Sequence, residues 1–381
     1  MSAPAERPLA IARPTGTAAR GAGPASQGRG PDLVYALYGG VLYGTERMAL
    51  ATAQALADQA EVLLIAPPGL VHAEASSLGV AMSVYRGLFG LLVSIFALLR
   101  ASDGFVFLAT RMEQSVALCL ANVLLRRPVT HRLVVHGGGG KNVYRRNRWI
   151  QRLPLRFIAV SHYVRDCLVE NGVDAARIDV APNFLADDLV QRIPRRGPFT
   201  ADGVHSVVLV ARTEPVKRVD LLLDALDLEP RLAGMAFHVY GDGSDLASLR
   251  AQARRHAGVV FHGFVADVVQ HLAAHDLLLH TAPREPFGLV LLEAMAAGLP
   301  ALVPDRGGPA SIIEPGVGGW CYAAEDAAAL AQALLRLRTL PATRLQAASE
   351  AAHHRLVTRF SQSAGRAVYL ELISKREHPS T

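Results

Sequence analysis

Residues 285–293 read Glu-Pro-Phe-Gly-Leu-Val-Leu-Leu-Glu, a pair of carboxylates on either side of an apolar turn. Pro286 disfavours helical backbone at the residue before it, and Gly288 follows closely, so Glu285 is predicted to lie in a loop. Glu293 falls inside the helix that is predicted to follow. On a single helix this spacing would separate the two acids by about 12 Å and roughly 80° of rotation. That distance is wider than the roughly 5 to 9.5 Å between the two catalytic carboxyl groups of a glycosidase.

A loop acid and a helix acid joined by a turn therefore indicate a different kind of site. Backbone N–H groups at the start of a helix attract negative charge, and carboxylates accept hydrogen bonds from hydroxyls. The stretch 285–293 is thus expected to bind a ligand with several hydroxyls and a negative charge, and a sugar carrying phosphate fits that description. An isolated pair of exposed glutamates would have only a solvating role.

Length and composition restrict the class of protein. A chain of 381 residues with 51% hydrophobic content is long enough for two domains with separate cores. Its 39 Lys and Arg against 33 Asp and Glu give a net charge of +6. This modest excess favours anionic ligands or a membrane surface and does not require nucleic acid, which is not expected as a partner.

Cysteine usage and hydropathy indicate a cytoplasmic protein. Cys119, Cys167 and Cys321 are odd in number and far apart, so neither a disulfide framework nor a zinc site is expected. The apolar run 88–99 is too short for a bilayer span of about 20 residues. The first thirty residues have no apolar core of a signal peptide and are predicted to be a disordered tail.

The first half of the chain alternates short apolar runs with helical patterns. Such alternation is typical of a parallel, doubly wound sheet. The predicted strands are 32–38, 61–66, 80–85, 105–108, 129–136 and 157–160, and the segment 178–183 closes this domain. The sequence therefore predicts a Rossmann-like N-terminal domain.

A glycine-rich turn links the first strand to the first helix. Gly39, Gly40 and Gly44 precede a helix predicted to start near Thr45, whose hydroxyl is available as an N-cap. Such a turn allows close backbone approach to a phosphate, so Gly40 and Gly44 are candidate ligand contacts, although many glycine clusters are only tight turns. The dinucleotide pattern G-x-G-x-x-G is absent.

His136 ends the fifth predicted strand, at the sheet edge where ligands bind such folds. A lone histidine at this place is either a ligand contact or a structural residue. The glycines 137–140 and Lys141 do not match a P-loop, because Asn142 replaces the Ser or Thr that binds magnesium.

A basic, aromatic segment follows. It comprises Lys141, Tyr144, Arg145, Arg146, Arg148, Trp149, Arg152 and Arg156. The segment is interpreted either as a surface for an anionic membrane or acceptor, or as a solvated helix face.

The second domain is predicted to open after the Pro- and Arg-rich linker 193–198. Its first strand, 207–210, leads to Arg212 and Lys217, two cations five residues apart on a loop at the strand end. Arginine can neutralise a diphosphate through a forked contact, and lysine can do so as a point charge. The alternative interpretation is that both residues are ordinary charged residues of the protein surface. Further strands are predicted at 237–240, 259–263 and 277–280.

Together these segments resemble the retaining nucleotide-sugar glycosyltransferases of family 4, whose fold is called GT-B. The resemblance rests on 285–293 with Gly298-Leu299-Pro300 and Arg306-Gly307-Gly308, on Gly44-Thr45-Glu46-Arg47, and on 211–218, where Ala211 and Arg218 depart from the usual glycines. It implies an α/β protein of two Rossmann-like, doubly wound parallel-sheet domains that face each other across a cleft. The implied ranges are 1–30 for the tail, 31–190 for the acceptor domain, 191–360 for the donor domain, and 361–381 for a helix returning to the first domain.

The resemblance also implies roles for individual residues. Glu293 would bind the ribose, and Glu285 with the backbone of Phe287, Gly288 and Leu289 would hold the hydroxyls of the transferred sugar. Further implied contacts are His136 to the donor sugar, Arg212 and Lys217 to the leaving diphosphate, and Gly263 and Phe264 to the base. The resemblance implies no metal and no cofactor, because Arg212 and Lys217 would neutralise the negative charge of the departing diphosphate.

The function expected from this resemblance is transfer of a sugar, with retention of configuration, from a nucleoside-diphosphate sugar to a saccharide or lipid-linked acceptor. Peripheral contact with the inner face of the membrane is compatible with the run 88–99 and the basic segment. Three alternatives remain: a nucleotide-sugar epimerase of the same fold, a binding protein without turnover, and a Rossmann oxidoreductase, which lacks its fingerprint.

Overall fold

The computed structural model describes residues 30–137 and 141–374, without the side chains of 141–143. Apart from residue 30, the predicted disordered tail lies outside the described residues, as do Gly138, Gly139, Gly140 and 375–381.

The first half folds around a seven-stranded sheet with the order β3-β2-β1-β4-β5-β6-β7, and all of its strand pairs are parallel. The strands are β1 Leu33–Ala36, β2 Val62–Ala66, β3 Met82–Val84, β4 Phe105–Ala109, β5 Val129–Val135, β6 Arg156–Ala159 and β7 Ile178–Val180. Every residue of β1 and β4 is buried, as expected of central strands with helices on both faces. The helices are α1 Gly44–Leu56, α2 Leu70–Ser77, α3 Gly87–Ala101, α4 Met112–Leu125, α5 Lys141–Ile150, α6 His162–Glu170 and α7 Asp187–Arg192.

The second half folds around a six-stranded parallel sheet with the order β10-β9-β8-β11-β12-β13. The strands are β8 Ser206–Val210, β9 Ala236–Tyr240, β10 Val259–Gly263, β11 Leu277–Leu279, β12 Ala301–Pro304 and β13 Gly319–Tyr322. The helices are α8 Asp220–Leu228, α9 Leu246–Ala253, α10 Val269–Leu272, α11 Leu289–Ala296, α12 Gly308–Ile312, α13 Ala327–Arg338, α14 Ala342–Arg359 and α15 Gln362–Ser374. Short 3-10 turns occur at Ala175–Arg177, Pro215–Lys217 and Pro230–Gly234.

Two parallel-sheet α/β domains were expected, and the structure confirms them. In each sheet the strand order reverses beside the first strand of the domain, β1 or β8, and ligands bind at such switch points, beyond the carboxyl ends of the strands. The predicted strands all occur, with ends shifted by up to a few residues. Strands β7, β12 and β13, of three or four residues each, were not predicted.

The start of α1 differs from the prediction. The N-cap is Tyr43 and not Thr45, and the carboxylate of Glu46 accepts a hydrogen bond of 3.2 Å from the Tyr43 backbone N–H. A glutamate at the third helical position satisfies the free N–H at the helix start in the manner of a capping box, so no hydroxyl is needed there.

The last helix, α15, packs on α1 of the first domain. Its Arg366 pairs with the exposed Asp58, and its Leu372 carbonyl accepts a hydrogen bond of 3.1 Å from the buried guanidinium of Arg132. Arg132 lies on β5 and also contacts Asp179 of β7 at 3.2 Å. The chain therefore re-enters the first domain through charged contacts that reach its core.

We expect Asp179→Asn to destabilise the protein by about 3 kcal/mol, because it removes a negative charge that lies 3.2 Å from a buried guanidinium. Asp58→Asn removes the exposed ion pair of the same helix and should leave the free energy of unfolding unchanged within error. Urea denaturation of both variants and the wild type measures the difference. Equal stability of the two variants would contradict the importance assigned to the buried pair.

Candidate active site

A cavity of about 300 Å³ lies between the two domains, beyond the carboxyl ends of both sheets. We call it the first cavity. The first domain contributes Gly44, Thr45, His136 and Asn183, and the second contributes Val210, Ala211, Arg212, Lys217, His280, Glu285, Pro286, Phe287, Gly288, Leu289 and Val290. Eight of the twelve predicted site residues thus line one cavity: Gly44, His136, Arg212, Lys217, Glu285, Phe287, Gly288 and Leu289.

The two predicted cations lie on the loop after β8. Arg212 is 56% exposed, and its Nη1 lies 2.5 Å from Oε1 of Glu214. Lys217 ends the 3-10 turn, and its backbone carbonyl accepts a hydrogen bond of 2.7 Å from the hydroxyl of Thr281. That bond fixes the lysine turn against the end of β11.

Lys217 and Glu285 form an ion pair inside the first cavity, with 2.5 Å between Nζ and Oε2. Burial raises the pKa of Glu285, but the positive charge of Lys217, with His280 and Arg212 nearby, outweighs it and leaves this pKa below its ordinary value. Burial lowers the pKa of His280 to about 4. At neutral pH the cavity therefore contains an ionised carboxylate, a cation and a neutral imidazole.

The loop before α11 is held from both domains. The backbone N–H of Gly308 donates to the Glu285 carbonyl at 2.7 Å, and a Cβ on Gly308 would come within 2.2 Å of the Pro286 carbonyl oxygen. From the first domain, the hydroxyl of Ser161 donates to that same Pro286 oxygen at 2.6 Å. Gly288 then adopts φ +97°, a conformation favoured by glycine, and directs the free N–H groups of α11 toward the cleft.

The glycines of the first turn have separate places. Gly44 lines the first cavity, opposite Leu289. Gly40 instead packs on a neighbouring loop, where a Cβ would come within 2.3 Å of the Pro68 carbonyl oxygen and 2.9 Å of the Gly69 Cα. Of the two predicted glycines, the one that a ligand in this cavity can reach is Gly44.

His136 lies at the end of β5, where the pattern placed it, and lines the first cavity. Its Nε2 is 3.3 Å from the hydroxyl of Tyr35. Burial lowers the pKa of His136 to about 4, so the ring is neutral at physiological pH.

A second cavity of about 330 Å³ adjoins the first across Leu289, which lines both. Glu293 lies here with Arg47 of α1 and Asp267. Burial raises the pKa of Glu293, Arg47 lowers it, and Asp267 raises it further. The predicted base contacts Gly263 and Phe264 line neither cavity; Phe264 is 76% exposed, and the segment 266–269 forms the wall instead.

Three further residues were not predicted. His280 and Ser161 reach the first cavity or its loop, and Arg47 reaches the second. His280 directly follows β11, just as His136 directly follows β5, and this position at a strand's carboxyl end is the signal that could have indicated it. The contact between Ser161 and Pro286 joins residues 125 positions apart, and nothing in the local pattern indicates it.

The basic, aromatic segment is split by the structure. Tyr144 is buried, Arg148 and Arg152 stack on the ring of Trp149 at 4.6 and 4.9 Å, and Arg156 belongs to β6, where it pairs with Asp179. Arg145, Arg146, Arg148, Trp149 and Arg152 are exposed, so most of the segment forms a basic surface around the buried Tyr144. Among the described residues, no group of three or more His, Cys, Asp or Glu side chains is arranged to hold a metal ion.

Lys217→Met should lower the free energy of unfolding, and we expect the loss to grow as the pH rises. The wild-type Glu285 pKa lies below its unfolded value, so ionised Glu285 stabilises the fold above the unfolded pKa, and this contribution is lost as pH falls through the folded pKa. Without Lys217, burial dominates and raises that pKa, so ionisation on going to higher pH destabilises the variant. We expect the gap in the free energy of unfolding between wild type and variant to widen from about pH 5 to about pH 7.

Urea denaturation at several pH values measures that gap. Arg344→Met removes an exposed cation from α14 and serves as the control, with a constant, small difference. A pH-independent gap for Lys217→Met would show that the lysine does not control the ionisation of Glu285.

Comparison with known proteins agrees with the architecture. Two family models match, Glycosyltransferase Family 4 over residues 43–189 and Glycosyl transferases group 1 over residues 204–339. The structure of Anabaena HepE in complex with UDP and glucose superposes with a TM-score of 0.75 at 21% identity, over 91% of this chain and 100% of that one. A glycosyltransferase from Rickettsia africae superposes equally well, with a TM-score of 0.75 at 16% identity, over 91% of this chain and 99% of that one. These likenesses confirm the GT-B fold.

Curated relatives match over shorter stretches. A GDP-mannose-dependent alpha-mannosyltransferase of Mycobacterium tuberculosis is 30% identical over 184 residues, 44% of this chain and 44% of the relative. The lipopolysaccharide 1,6-galactosyltransferase of Escherichia coli is 32% identical over 180 residues, 45% of this chain and 49% of the relative. The match thus spans about half the length of these relatives. With one family model on each domain and the GT-B fold throughout, the chain belongs to the group 1 glycosyltransferases of family 4.

Proposed function

We propose that the protein transfers a sugar from a nucleoside-diphosphate sugar to a saccharide or lipid-linked acceptor, with retention of anomeric configuration. The observation that carries this proposal is the meeting of Arg212, Lys217 and Glu285 at one interdomain cavity, with Gly44 and His136 on the opposite wall. Two cations, hydrogen-bond acceptors for hydroxyls and a free helix start are the groups that a sugar diphosphate requires.

The departing diphosphate makes the largest electrostatic demand. Negative charge grows on it as the bond to the sugar breaks, and fixed positive groups stabilise that charge in a site with little water. Arg212 and Lys217 lie on one short loop at the cavity, and the N-terminus of α11 adds free backbone N–H groups. We assign these three features to the diphosphate and expect no metal ion to be needed.

The transferred sugar lies, in this proposal, beside Glu285. The carboxylate is kept ionised by its neighbours and accepts hydrogen bonds from sugar hydroxyls. Phe287 is buried against Phe360, with ring centroids 6.0 Å apart, so this residue offers its backbone and not its ring to the ligand. The backbone of Gly288 and Leu289 completes that wall.

The nucleoside is assigned to the second cavity. Glu293 is the acceptor for ribose hydroxyls, and the wall 266–269 lies where a base would follow. Since Leu289 lines both cavities, a single extended donor can occupy them together with its diphosphate between them.

The relatives support this reading of the donor and product. The names of the matched proteins include a GDP-mannose-dependent mannosyltransferase, a phosphatidyl-myo-inositol mannosyltransferase of Mycobacterium leprae and a lipopolysaccharide galactosyltransferase. We infer an acceptor of the polysaccharide or glycolipid class.

Closure of the two domains over the donor would exclude water that otherwise hydrolyses it.

A screen of nucleoside-diphosphate sugars by thermal shift identifies the donor, because a ligand that binds the folded state raises the melting temperature. Incubation of that donor with glycan and glycolipid acceptors then tests transfer, and proton NMR of the product gives its anomeric configuration. A product of the donor's configuration supports the proposal. Isomerised sugar without transfer would indicate the epimerase, and tight binding without turnover a binding protein; either would overturn it.

Glu293→Gln should weaken binding of the selected nucleoside diphosphate by roughly tenfold to a hundredfold, because it replaces charged hydrogen bonds to the ribose. Calorimetric titration measures this affinity. Glu350→Gln changes an exposed glutamate of α14 and should bind as the wild type does. Equal affinity of the Glu293 variant and the wild type would remove Glu293 from the nucleoside site.

The first domain carries an apolar face that suits a membrane surface. Exposed apolar side chains lie on α3 and α4, namely Leu88, Phe89, Val93, Val116, Leu120, Val123 and Leu124. The exposed Arg86, Arg100 and Arg126 lie at the ends of the same two helices, which pack on each other. Apolar side chains with basic neighbours favour the interface of an anionic bilayer. No helix among the described residues is long and apolar enough to cross one.

We therefore expect the protein to sediment with vesicles that contain phosphatidylglycerol and much less with vesicles of phosphatidylcholine alone. The double variant Phe89→Glu, Leu124→Glu should abolish this binding, since it places charge on the apolar face. Val357→Glu, on an exposed site of α14, is the control and should bind normally. Binding that survives the double variant would assign membrane contact to another surface.

A further inference from the structure

The charged side chains of the first cavity compensate one another in pairs. Lys217 pairs with Glu285, and Arg212 pairs with Glu214 of its own loop. The Lys217 and Glu285 side chains are only 21% and 17% exposed, so solvent screens this pair only in part. Both cations assigned to the diphosphate therefore already have a negative partner, and a ligand that engages them leaves these carboxylates uncompensated.

A sugar nucleotide would disturb this balance, because it brings one negative charge on each of its two phosphates. When Lys217 turns to a phosphate, Glu285 loses its counter-charge inside the cavity. The N-terminus of α11 supplies only roughly half a positive charge, and a buried charge without a partner is costly. A further positive charge beside Glu285 would stabilise the complex, and the first cavity contains a group that can acquire one.

That group is the imidazole of His280. It directly follows β11, lines the first cavity with Lys217 and Glu285, and is only 7% exposed. Its Nδ1 is enclosed and has no hydrogen-bond partner within the described part of the chain. Its backbone is fixed, since the N–H donates to the Leu302 carbonyl at 2.9 Å and the carbonyl accepts from the Tyr322 hydroxyl at 3.1 Å. The ring is thus held at the cavity while Nδ1 is not committed to another group.

The groups around His280 determine its charge. They are Lys217 and Arg212 from the loop after β8, Glu285 from the loop before α11, Tyr322 of β13, and His136 across the cavity. Burial lowers the pKa of His280 to about 4, Glu285 raises this pKa, and Lys217 lowers it. Withdrawing the ammonium and adding a diphosphate both favour the protonated ring. His136 lies on the wall of the first domain, and burial alone accounts for its lowered pKa.

We propose that His280 takes up a proton when the sugar nucleotide binds and replaces Lys217 as the positive partner of Glu285. The proton comes from solvent, and the ring returns it when the nucleoside diphosphate leaves, so the reaction consumes none. With the imidazolium beside it, Glu285 stays ionised and accepts hydrogen bonds from the sugar hydroxyls. This inference rests on the proposed function in one respect: the ligand that attracts Lys217 is a sugar diphosphate. His280 is therefore a positioning residue, which acts on the donor through Glu285.

Calorimetric titration measures this proton uptake directly. The titrant is the nucleoside-diphosphate sugar selected by the thermal-shift screen; it contains no phosphate monoester, whose second ionisation at about pH 6 would add its own protons. Near neutral pH, the binding enthalpy of the wild type should depend on the ionisation enthalpy of the buffer, with the slope of a net uptake. The affinity should also weaken as the pH rises from about 6 to about 8, by up to about tenfold per pH unit. No uptake by the wild type would overturn the proposal.

His280→Gln identifies the group that takes up the proton, because glutamine is polar and cannot ionise. Its binding enthalpy should no longer depend on the buffer, and its affinity should stay constant within about twofold from about pH 6 to about pH 8. His354→Gln removes an exposed histidine of α14 and, as the matched control, should retain the uptake of the wild type. Uptake that persists in His280→Gln would assign the proton to another group, such as His136 or Glu285, and would overturn the proposal.

The outcomes separate this inference from the proposed function. Failure of every nucleoside-diphosphate sugar to bind would overturn both. Binding and transfer without proton uptake would overturn only the role of His280 and leave the proposed function intact. The wild-type titration needs no variant, so it decides the proposal even if His280→Gln does not fold, and His280→Asn provides a second, smaller replacement.

Discussion

The carbonyl of Pro286 is the point on which the geometry of the cleft depends. It accepts the hydroxyl proton of Ser161 from the opposite domain, and there is room for it only because residue 308 has no side chain. Gly137, with φ +82°, meets the same proline ring, where a Cβ would come within 2.2 Å of Cγ. Because both domains hold this loop in place, Glu285 and the start of α11 line the same cavity as Arg212 and Lys217.

Charge compensation explains why such a polar cavity is compatible with a stable fold. Glu285 is substantially buried, and its ionised form persists because the Lys217 ammonium lies 2.5 Å away. Arg212 is likewise paired, with Glu214 of its own loop. A bound diphosphate would offer both cations stronger partners and leave the Glu285 oxygens free for sugar hydroxyls. The ion pairs of the first cavity thus involve the same side chains that are assigned to the donor in the proposed complex.

The sequence was sufficient for the two-domain α/β architecture, since fully apolar strands such as β1 and β4 alternate with helical patterns. The family resemblance also predicted that Lys217 and Glu285 belong to one site. No local sequence pattern could have shown this, because the two residues are 68 positions apart. Ser161, which the sequence did not indicate, acts through a tertiary contact with a carbonyl of the other domain. The sequence also does not separate Gly40 from Gly44, because only packing on the loop at Gly69 distinguishes Gly40 from a glycine that lines the first cavity.

The most direct test of the central claim is a crystal structure with the nucleoside diphosphate that stabilises the protein most. The account predicts phosphate oxygens within hydrogen-bond distance of Arg212 and Lys217, and ribose hydroxyls on the carboxylate of Glu293, in one ligand that spans both cavities. A nucleotide bound elsewhere, or bound in the cleft with its phosphates away from both cations, would contradict it.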